Sequence, residues 1–123
     1  MNHRMLRAIK EMHTKFAITS EQIPFSPHEK QFRIGAMQEE LDEYKDATTA
    51  SEEFDALIDL VVFALGTAER HGWLEKFQDG FNRVMEANLK KELGANQKRG
   101  SFALDLVKPE GWTAPNHDDL VGE

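Results

Sequence analysis

The chain has 123 residues, a length typical of one domain that buries roughly two thirds of the surface of its unfolded chain. Its formal net charge of -7 at pH 7 argues against nucleic acid or an anionic membrane surface as its main partner. Cysteine is absent, which excludes disulfides, thiolate metal sites and a cysteine nucleophile. The first ten residues lack the apolar core of a signal peptide and the longest apolar run, 60–65, cannot span a bilayer, so we expect a cytoplasmic protein with no membrane partner.

Four stretches with the apolar periodicity of a helix predict an all-α fold, a bundle of four to five helices. Pro24 and Pro27 predict a loop between the first two helices, and Ser51, followed by two glutamates, predicts the N-cap of the third. The predicted helices cover about 3–16, 29–47, 52–71 (ending at Gly72) and 73–93 (ending at Gly94). We expect residues 1–94 to form the helical bundle with the functional site, and residues 95–123 to form a C-terminal arm or tail of the same domain.

Two groups of carboxylates lie on consecutive predicted helices. Residues three or four apart share one face of a helix, so Glu43 projects together with Glu40 or Glu39, and Asp59 with Asp55. Like charges that converge in a folded protein repel one another unless a cation lies between them, and divalent cations such as Mg²⁺ prefer oxygen ligands. This pattern predicts a metal site within the helical bundle.

Asp59 is the most informative of these residues, because it lies within the apolar run Leu57–Phe63 on a helix with almost no polar face. A buried carboxylate is costly unless it is paired or bound to a metal. A structural ion pair is the alternative for Asp59, and a solvated helix surface is the alternative for the glutamates. The coincidence of the two groups favours the metal site.

A local positive cluster near the end of the fourth predicted helix consists of Arg83, Asn88, Lys90 and Lys91. Cationic and amide donors suit phosphate oxygens, although lysines at a helix C-terminus also simply complement the helix dipole. The sequence contains no Glu-x-x-His pair of the di-iron type, no Walker loop and no Gly-rich dinucleotide motif.

The Glu39-Glu40-x-x-Glu43 element, followed by an acidic helix that ends in Asp59-Leu-Val-Val, resembles the MazG-like all-α nucleoside triphosphate pyrophosphohydrolases. Further likeness to the short single-domain members common in bacteriophages lies in 12–16, in 55–68, in Asn88-x-x-Lys91 and in Lys108-Pro-Glu-Gly-Trp112. The resemblance covers most of the chain. It implies hydrolysis of a (deoxy)nucleoside triphosphate to the monophosphate and pyrophosphate with Mg²⁺ or Mn²⁺, in the host cytoplasm if the protein is phage-encoded.

By motif match, the resemblance makes Glu40, Glu43 and Asp59 metal ligands and Glu39 the residue that orients or deprotonates the attacking water. The family usually has a glutamate three residues before the last aspartate, where this chain has Ala56. Asp55 is our choice for the missing ligand, with Glu52 in reserve.

The resemblance implies that Asn88 and Lys91 contact the phosphates of the substrate. Arg83, from the same positive cluster, is a further candidate for this contact. For the base we select His13 as a polar contact and Phe16 or Phe25 as a stacking platform, although His13 and Phe16 also suit a helix core. Some phage relatives suggest a purine substrate such as dGTP or GTP.

Two other functions stay open. Within the superfamily, phosphoribosyl-ATP hydrolysis is the alternative reaction, and from a different class comes a non-catalytic helical interaction protein whose acidic face is solvated. The third predicted helix is apolar on nearly every side, more than one short chain can cover, so we expect a homodimer or homotetramer. The resemblance points to the same assemblies.

Overall fold

The computed structural model describes residues 3–122 and is mostly helical, as the periodicity predicted. The helices are α1 (Arg4–Lys15), α2 (Pro27–Asp46), α3 (Ala50–Arg70), α4 (Leu74–Asn88) and the short α5 (Asp118–Val121). Strands β1 (Glu92–Leu93) and β2 (Leu106–Val107) pair antiparallel, with Glu92 opposite Val107, and one 3₁₀ turn covers Gln97–Arg99. The chain forms two compact units that divide between Glu75 and Lys76.

Helices α2 and α3 form a hairpin with a three-residue link. Helix α2 begins at Pro27, two residues before the predicted start, because the Ser26 hydroxyl accepts a hydrogen bond from the Glu29 N–H (3.1 Å). The predicted N-cap of α3, Ser51, is wrong. Thr49 is the N-cap instead, since its backbone is extended and its hydroxyl accepts from the Glu52 N–H at 3.1 Å.

The fourth helix is shorter than predicted, because it ends at Asn88 rather than near residue 93. After a turn at residues 89–91, the chain enters β1 and pairs with β2. Gly94 allows this close pairing, since a Cβ there would lie 3.1 Å from a methyl carbon of Val107. Lys91 therefore lies beyond the helix on which the sequence placed it.

The apolar core of the first unit is small. Ile9, Leu65 and Leu74 are buried together, and Leu6 and Val62 pack against them. Gly66 lets two polar side chains from α1 and α2 approach α3 closely: a Cβ at Gly66 would lie 3.1 Å from Arg33 Nη1 and 3.2 Å from His13 Nε2. Close packing of these two side chains therefore explains why α3 has a glycine at position 66.

Charged side chains complete the interior of this unit. The Arg70 guanidinium, only 2% exposed, donates two hydrogen bonds to the Glu29 carboxylate, at 2.7 and 2.8 Å. It also donates to the backbone carbonyls of Ile18 and Pro24, at 3.0 and 3.3 Å. Because all these donors have partners, Arg70 joins the C-terminal end of α3 to the first turn of α2 and to the loop before it.

Glu69 forms a second buried network. Its Oε1 lies 2.6 Å from His13 Nδ1, and its Oε2 accepts from Lys10 Nζ and the Ser20 N–H, both at 3.2 Å. Burial raises the pKa of Glu69, but the hydrogen bonds from Ser20, His13 and Lys10 outweigh it and leave the pKa below its ordinary value. The ionised carboxylate therefore stabilises the folded unit.

The second unit is held together by contacts to α4. The Trp112 indole N–H donates to the Ala87 carbonyl at 2.7 Å, and Arg83 forms a bidentate ion pair with Asp119 of α5, both bonds at 2.8 Å. In the part of the chain that the structure describes, no helix is both long and apolar enough to cross a membrane.

The Glu69 network makes a prediction about acid stability. The folded-state pKa of Glu69 lies below its ordinary value of 4.5, so its ionised form contributes stability above about pH 4.5 and this contribution is lost as the pH falls further. We expect Glu69→Gln to lower the free energy of unfolding at pH 7 by about 3 kcal/mol, because it leaves buried donors poorly paired. Below pH 4 the difference from wild type should shrink.

Urea unfolding at a series of pH values measures this difference. Glu11→Gln, on the exposed side of α1, makes the same change in charge and should alter stability by less than about 0.5 kcal/mol. A Glu69→Gln difference that is constant from pH 7 to pH 3 would contradict the assignment.

Candidate metal centre

Three carboxylates converge on the α2–α3 hairpin. Glu40 and Glu43 lie one turn apart on α2, and Asp59 lies on the facing helix α3. One carboxylate oxygen from each residue falls within 4.8 Å of the other two. The two groups that the sequence placed on consecutive helices do meet.

The three carboxylates differ in their exposure. Glu43 is exposed, whereas Glu40 and Asp59 are partly buried. Glu40 Oε2 is shielded from solvent and has no hydrogen-bond partner among the described residues. A buried carboxylate oxygen normally has a donor or a cation against it, so this oxygen is suited to contact a cation.

The electrostatics of the cluster indicate uncompensated negative charge. Burial, the adjacent Glu43 carboxylate and the charges of Asp59 and Glu39 raise the pKa of Glu40 to about 7. Burial and the negative charges of Asp55 and Glu43 also raise the pKa of Asp59. Among residues 3–122, no ion pair involves the three clustered carboxylates. A cation would relieve this repulsion.

The donor set fits a hard divalent cation. All three groups offer oxygen, the ligand atom that Mg²⁺ and Mn²⁺ prefer. Three protein carboxylates leave coordination positions for water or substrate oxygens, which is the usual arrangement for Mg²⁺. The cluster can therefore hold the predicted metal, with Glu40, Glu43 and Asp59 as its ligands.

The other predicted acidic residues lie around this cluster. Asp55 is exposed and one turn from Asp59, close enough to raise the pKa of Asp59, but it is not one of the three converging groups. Glu52 Oε1 accepts from the hydroxyls of Thr48 and Thr49, at 3.1 and 3.0 Å, at the start of α3. Glu39 is exposed beside Glu40. The roles of Asp55, Glu52 and Glu39 at the metal stay predictions. The two threonine contacts of Glu52 give it a capping role at the start of α3.

The predicted phosphate contacts all lie in the second unit. Arg83 is engaged with Asp119 and with the Asn116 carbonyl, at 2.8 Å each. Asn88 is the last residue of α4, and its carbonyl accepts from the Lys91 N–H at 3.0 Å. Lys91 Nζ lies 5.1 Å from the centre of the Trp112 ring. Lys91 is thus a freer cation than Arg83 for an anionic ligand.

The three residues predicted to contact the base, His13, Phe16 and Phe25, lie in different environments. His13 is 2% exposed and bonded to Glu69, so it is part of the core, whereas Phe16 is 63% exposed just after α1. Phe25 packs on His71, with ring centres 3.9 Å apart, and His71 stacks on Trp73. His71 follows Asp59 by twelve residues, about 18 Å along a helix, so Phe25 lies toward the far end of α3 from the carboxylates.

Two features of the structure were missed in the sequence. The first is a set of two pairs, the buried His13–Glu69 pair and the Glu29–Arg70 pair with its buried arginine, and the only hint of them was two charged residues, 69 and 70, at the end of an apolar helix. The second feature is the pair of lysines at Trp112, where Lys108 Nζ lies 5.2 Å from the ring centre. Lys91 and Lys108 both belong to motifs visible in the sequence, but only the fold shows that they meet at Trp112.

No model of a known protein family matches the chain, and no curated protein matches it significantly. The MazG-like resemblance therefore stays a prediction that depends on the motif and on the chemistry of the site.

Metal binding by the cluster can be tested by thermal unfolding. We expect Mn²⁺ at a hundred times its dissociation constant to stabilise the wild type by about 2.7 kcal/mol, a shift of several degrees in Tm. Asp59→Asn and Glu43→Gln should abolish the shift, because each removes one ligand. Without metal, neither variant should be less stable than wild type, since each also removes a repelling charge.

Glu11→Gln makes the same change in net charge at an exposed position of α1, outside the carboxylate cluster, and should keep the full shift. An equal Mn²⁺ response in Asp59→Asn and in wild type would rule out this site.

Proposed function

We propose that this protein is a metal-dependent nucleotide pyrophosphohydrolase that cleaves a (deoxy)nucleoside triphosphate to the monophosphate and pyrophosphate. The observation that carries the proposal is the convergence of Glu40, Glu43 and Asp59 within 4.8 Å, together with a Glu40 oxygen that has no hydrogen-bond partner in the described part of the chain. The same three residues match the acidic motif of the MazG-like superfamily, which makes the chain a candidate short, phage-type member. Its purine preference, for dGTP or GTP, is part of the proposal.

The three carboxylates would hold Mg²⁺ or Mn²⁺ at one face of the α2–α3 hairpin. A bound divalent cation would neutralise charge on the phosphate oxygens and lower the pKa of a bound water. These two effects are the main requirements of phosphate ester hydrolysis. The chain needs no nucleophilic side chain, because water is the attacking group. The oxygen of that water joins the α-phosphorus, and the bond from this phosphorus to the bridging oxygen breaks as pyrophosphate leaves.

Glu39 is the residue we assign to the proton of the attacking water. Its carboxylate is exposed and next in sequence to Glu40, so it can take up the proton and release it to solvent. Asp55 lies on α3, one turn before Asp59, and we assign it to a further ligand position. Ala56, where the superfamily usually has glutamate, is 3% exposed and offers no oxygen, so Asp55 would replace that ligand.

We further propose that a second copy of the chain covers an apolar stripe on α3. Phe54, Leu57, Ile58 and Val61 are between 45% and 68% exposed and recur at the spacing of one helix face. Burial of this stripe would give the homodimer, or a homotetramer built from it. Sedimentation equilibrium measures the mass directly, and a monomer at micromolar concentrations would contradict the assembly.

The activity is tested with a panel of NTPs and dNTPs in the presence of Mg²⁺ or Mn²⁺. We expect release of pyrophosphate together with the monophosphate, fastest for dGTP or GTP. Chelation of the metal should abolish the release, and Asp59→Asn should lower kcat/KM by about 100-fold or more. Orthophosphate as the only phosphate product would contradict cleavage between the α and β phosphates.

The panel also separates the alternatives. Including phosphoribosyl-ATP tests the related hydrolysis directly, and preferential turnover of it would reassign the substrate. A non-catalytic interaction protein should turn over none of these substrates. Glu11→Gln is the matched control for charge and should retain wild-type kcat/KM.

A further inference from the structure

A cavity of about 450 Å³ lies in the first unit, beside the Glu69 network. Its walls come from the first half of α1, from the loop that follows α1, and from the corner between α3 and α4. Ligand sites in proteins usually have volumes of about 300–1,000 Å³. Glu69 follows Asp59 by ten residues, about 15 Å along a helix, so this cavity is separate from the proposed metal centre.

One side of the cavity is apolar. It is lined by Leu6 of α1 and by Leu74, the first residue of α4. Leu74 is only 8% exposed and belongs to the buried core cluster, and Leu6 packs against that cluster. An apolar group bound here would therefore extend the core of the unit and remove apolar surface from water.

Three of the charged groups at the cavity are already paired with one another. Lys10 Nζ lies 2.9 Å from Glu21 Oε1 and 3.2 Å from Glu69 Oε2. The Glu69 carboxylate also contacts His13 Nδ1 at 2.6 Å, and it accepts from the N–H and the hydroxyl of Ser20 at 3.2 and 3.4 Å. These contacts occupy the acceptor positions of Glu69 and leave it little capacity for a ligand.

Arg7 and Glu75 are the other lysine, arginine or acidic side chains at the cavity. Both are exposed, and no ion pair among residues 3–122 includes either of them. They have opposite charges and come from different elements, α1 and the first turn of α4. Each directly follows one of the two lining leucines in the sequence. The cavity therefore offers one positive group, one negative group and an apolar wall.

We propose that this cavity binds a zwitterionic small molecule, a free amino acid with an apolar side chain. The carboxylate of the ligand pairs with the Arg7 guanidinium, a planar donor that suits carboxylate geometry. The ammonium group pairs with the Glu75 carboxylate, and the side chain lies against Leu6 and Leu74. A ligand with a single charge fits less well, because it satisfies one of the two groups and is repelled by the other.

Calorimetric titration of the full chain with leucine, methionine and phenylalanine, in the presence of a chelator, tests the site. The tightest binder is then compared with two analogues that keep its side chain, one without the amino group and one without the carboxylate. We expect the amino acid to bind about tenfold or more tightly than either analogue, because each analogue loses a charge-assisted contact. An analogue that binds as tightly as the amino acid would overturn the zwitterionic ligand, and so would an absence of binding by all three amino acids at millimolar concentrations.

Variants at the two charges locate the site. We expect Arg7→Gln and Glu75→Gln each to weaken amino-acid binding about tenfold. The analogue without a carboxylate should bind Arg7→Gln at least as tightly as it binds wild type, which a general disruption of the cavity would not allow. Lys15→Gln and Glu11→Gln are the matched controls, since they remove the same charges from exposed positions of α1 outside this cavity, and they should keep the wild-type affinity. Unchanged affinity in Arg7→Gln would overturn the assignment.

The opposing explanation is that Arg7 and Glu75 only pair with each other in solution. A double-mutant cycle on urea unfolding without ligand measures this coupling directly. We expect the two substitutions to act independently, and strong coupling between them would overturn the proposal. Because neither metal nor nucleotide is present, amino-acid binding can be found even if the hydrolase proposal fails.

Discussion

The α2–α3 hairpin holds three carboxylates close together against their mutual electrostatic repulsion. Each helix alone could turn its acidic residues to solvent. Joined by a three-residue link and tied by Arg70 to the first turn of α2, the two helices hold Glu40, Glu43 and Asp59 within 4.8 Å. The interactions that fix the hairpin therefore maintain an arrangement that the carboxylates themselves oppose.

The buried and partly buried carboxylates of the first unit fall into two groups with opposite pKa shifts. The pKa of Glu29 is lowered, mainly by its hydrogen bonds from Arg70. The pKa of Glu69 is also lowered, because its hydrogen bonds outweigh the effect of burial. At Glu40 and Asp59, burial and neighbouring negative charges raise the pKa. Within residues 3–122, the buried cations thus lie in the structural pairs, and no ion pair joins a cation to the converging groups. Such a difference is typical of functional sites, where a ligand supplies the missing charge.

Much of the hairpin could be predicted from the sequence, because the information was local. The apolar periodicity placed the helices within a few residues, and the spacing of Glu40, Glu43 and Asp59 placed them on facing surfaces. Local patterns failed where tertiary contacts decide. Ser51 and Thr49 are both good caps, and only the backbone turn selects Thr49. Helix α4 ends early because β1 pairs with β2, thirteen or more residues further along the chain.

Long-range pairs account for the remaining differences. His13 and Glu69 are 56 residues apart, and no pattern in either segment indicates that they meet. The same holds for Lys91 and Lys108, whose shared contact is a third residue, Trp112. The motif also does not identify a fourth ligand for the proposed metal, since Ala56 is buried where the resembled superfamily usually has glutamate and Asp55 lies outside the three converging groups.

The most direct test of the central claim is the position of the metal itself. Crystals grown with Mn²⁺ and measured for anomalous scattering should show a peak between Glu40, Glu43 and Asp59, at about 2.0–2.6 Å from an oxygen of each, the range of hard divalent cations. Anomalous density only elsewhere on the protein, or none with Mn²⁺ in excess, would contradict the claim that this hairpin is a metal centre.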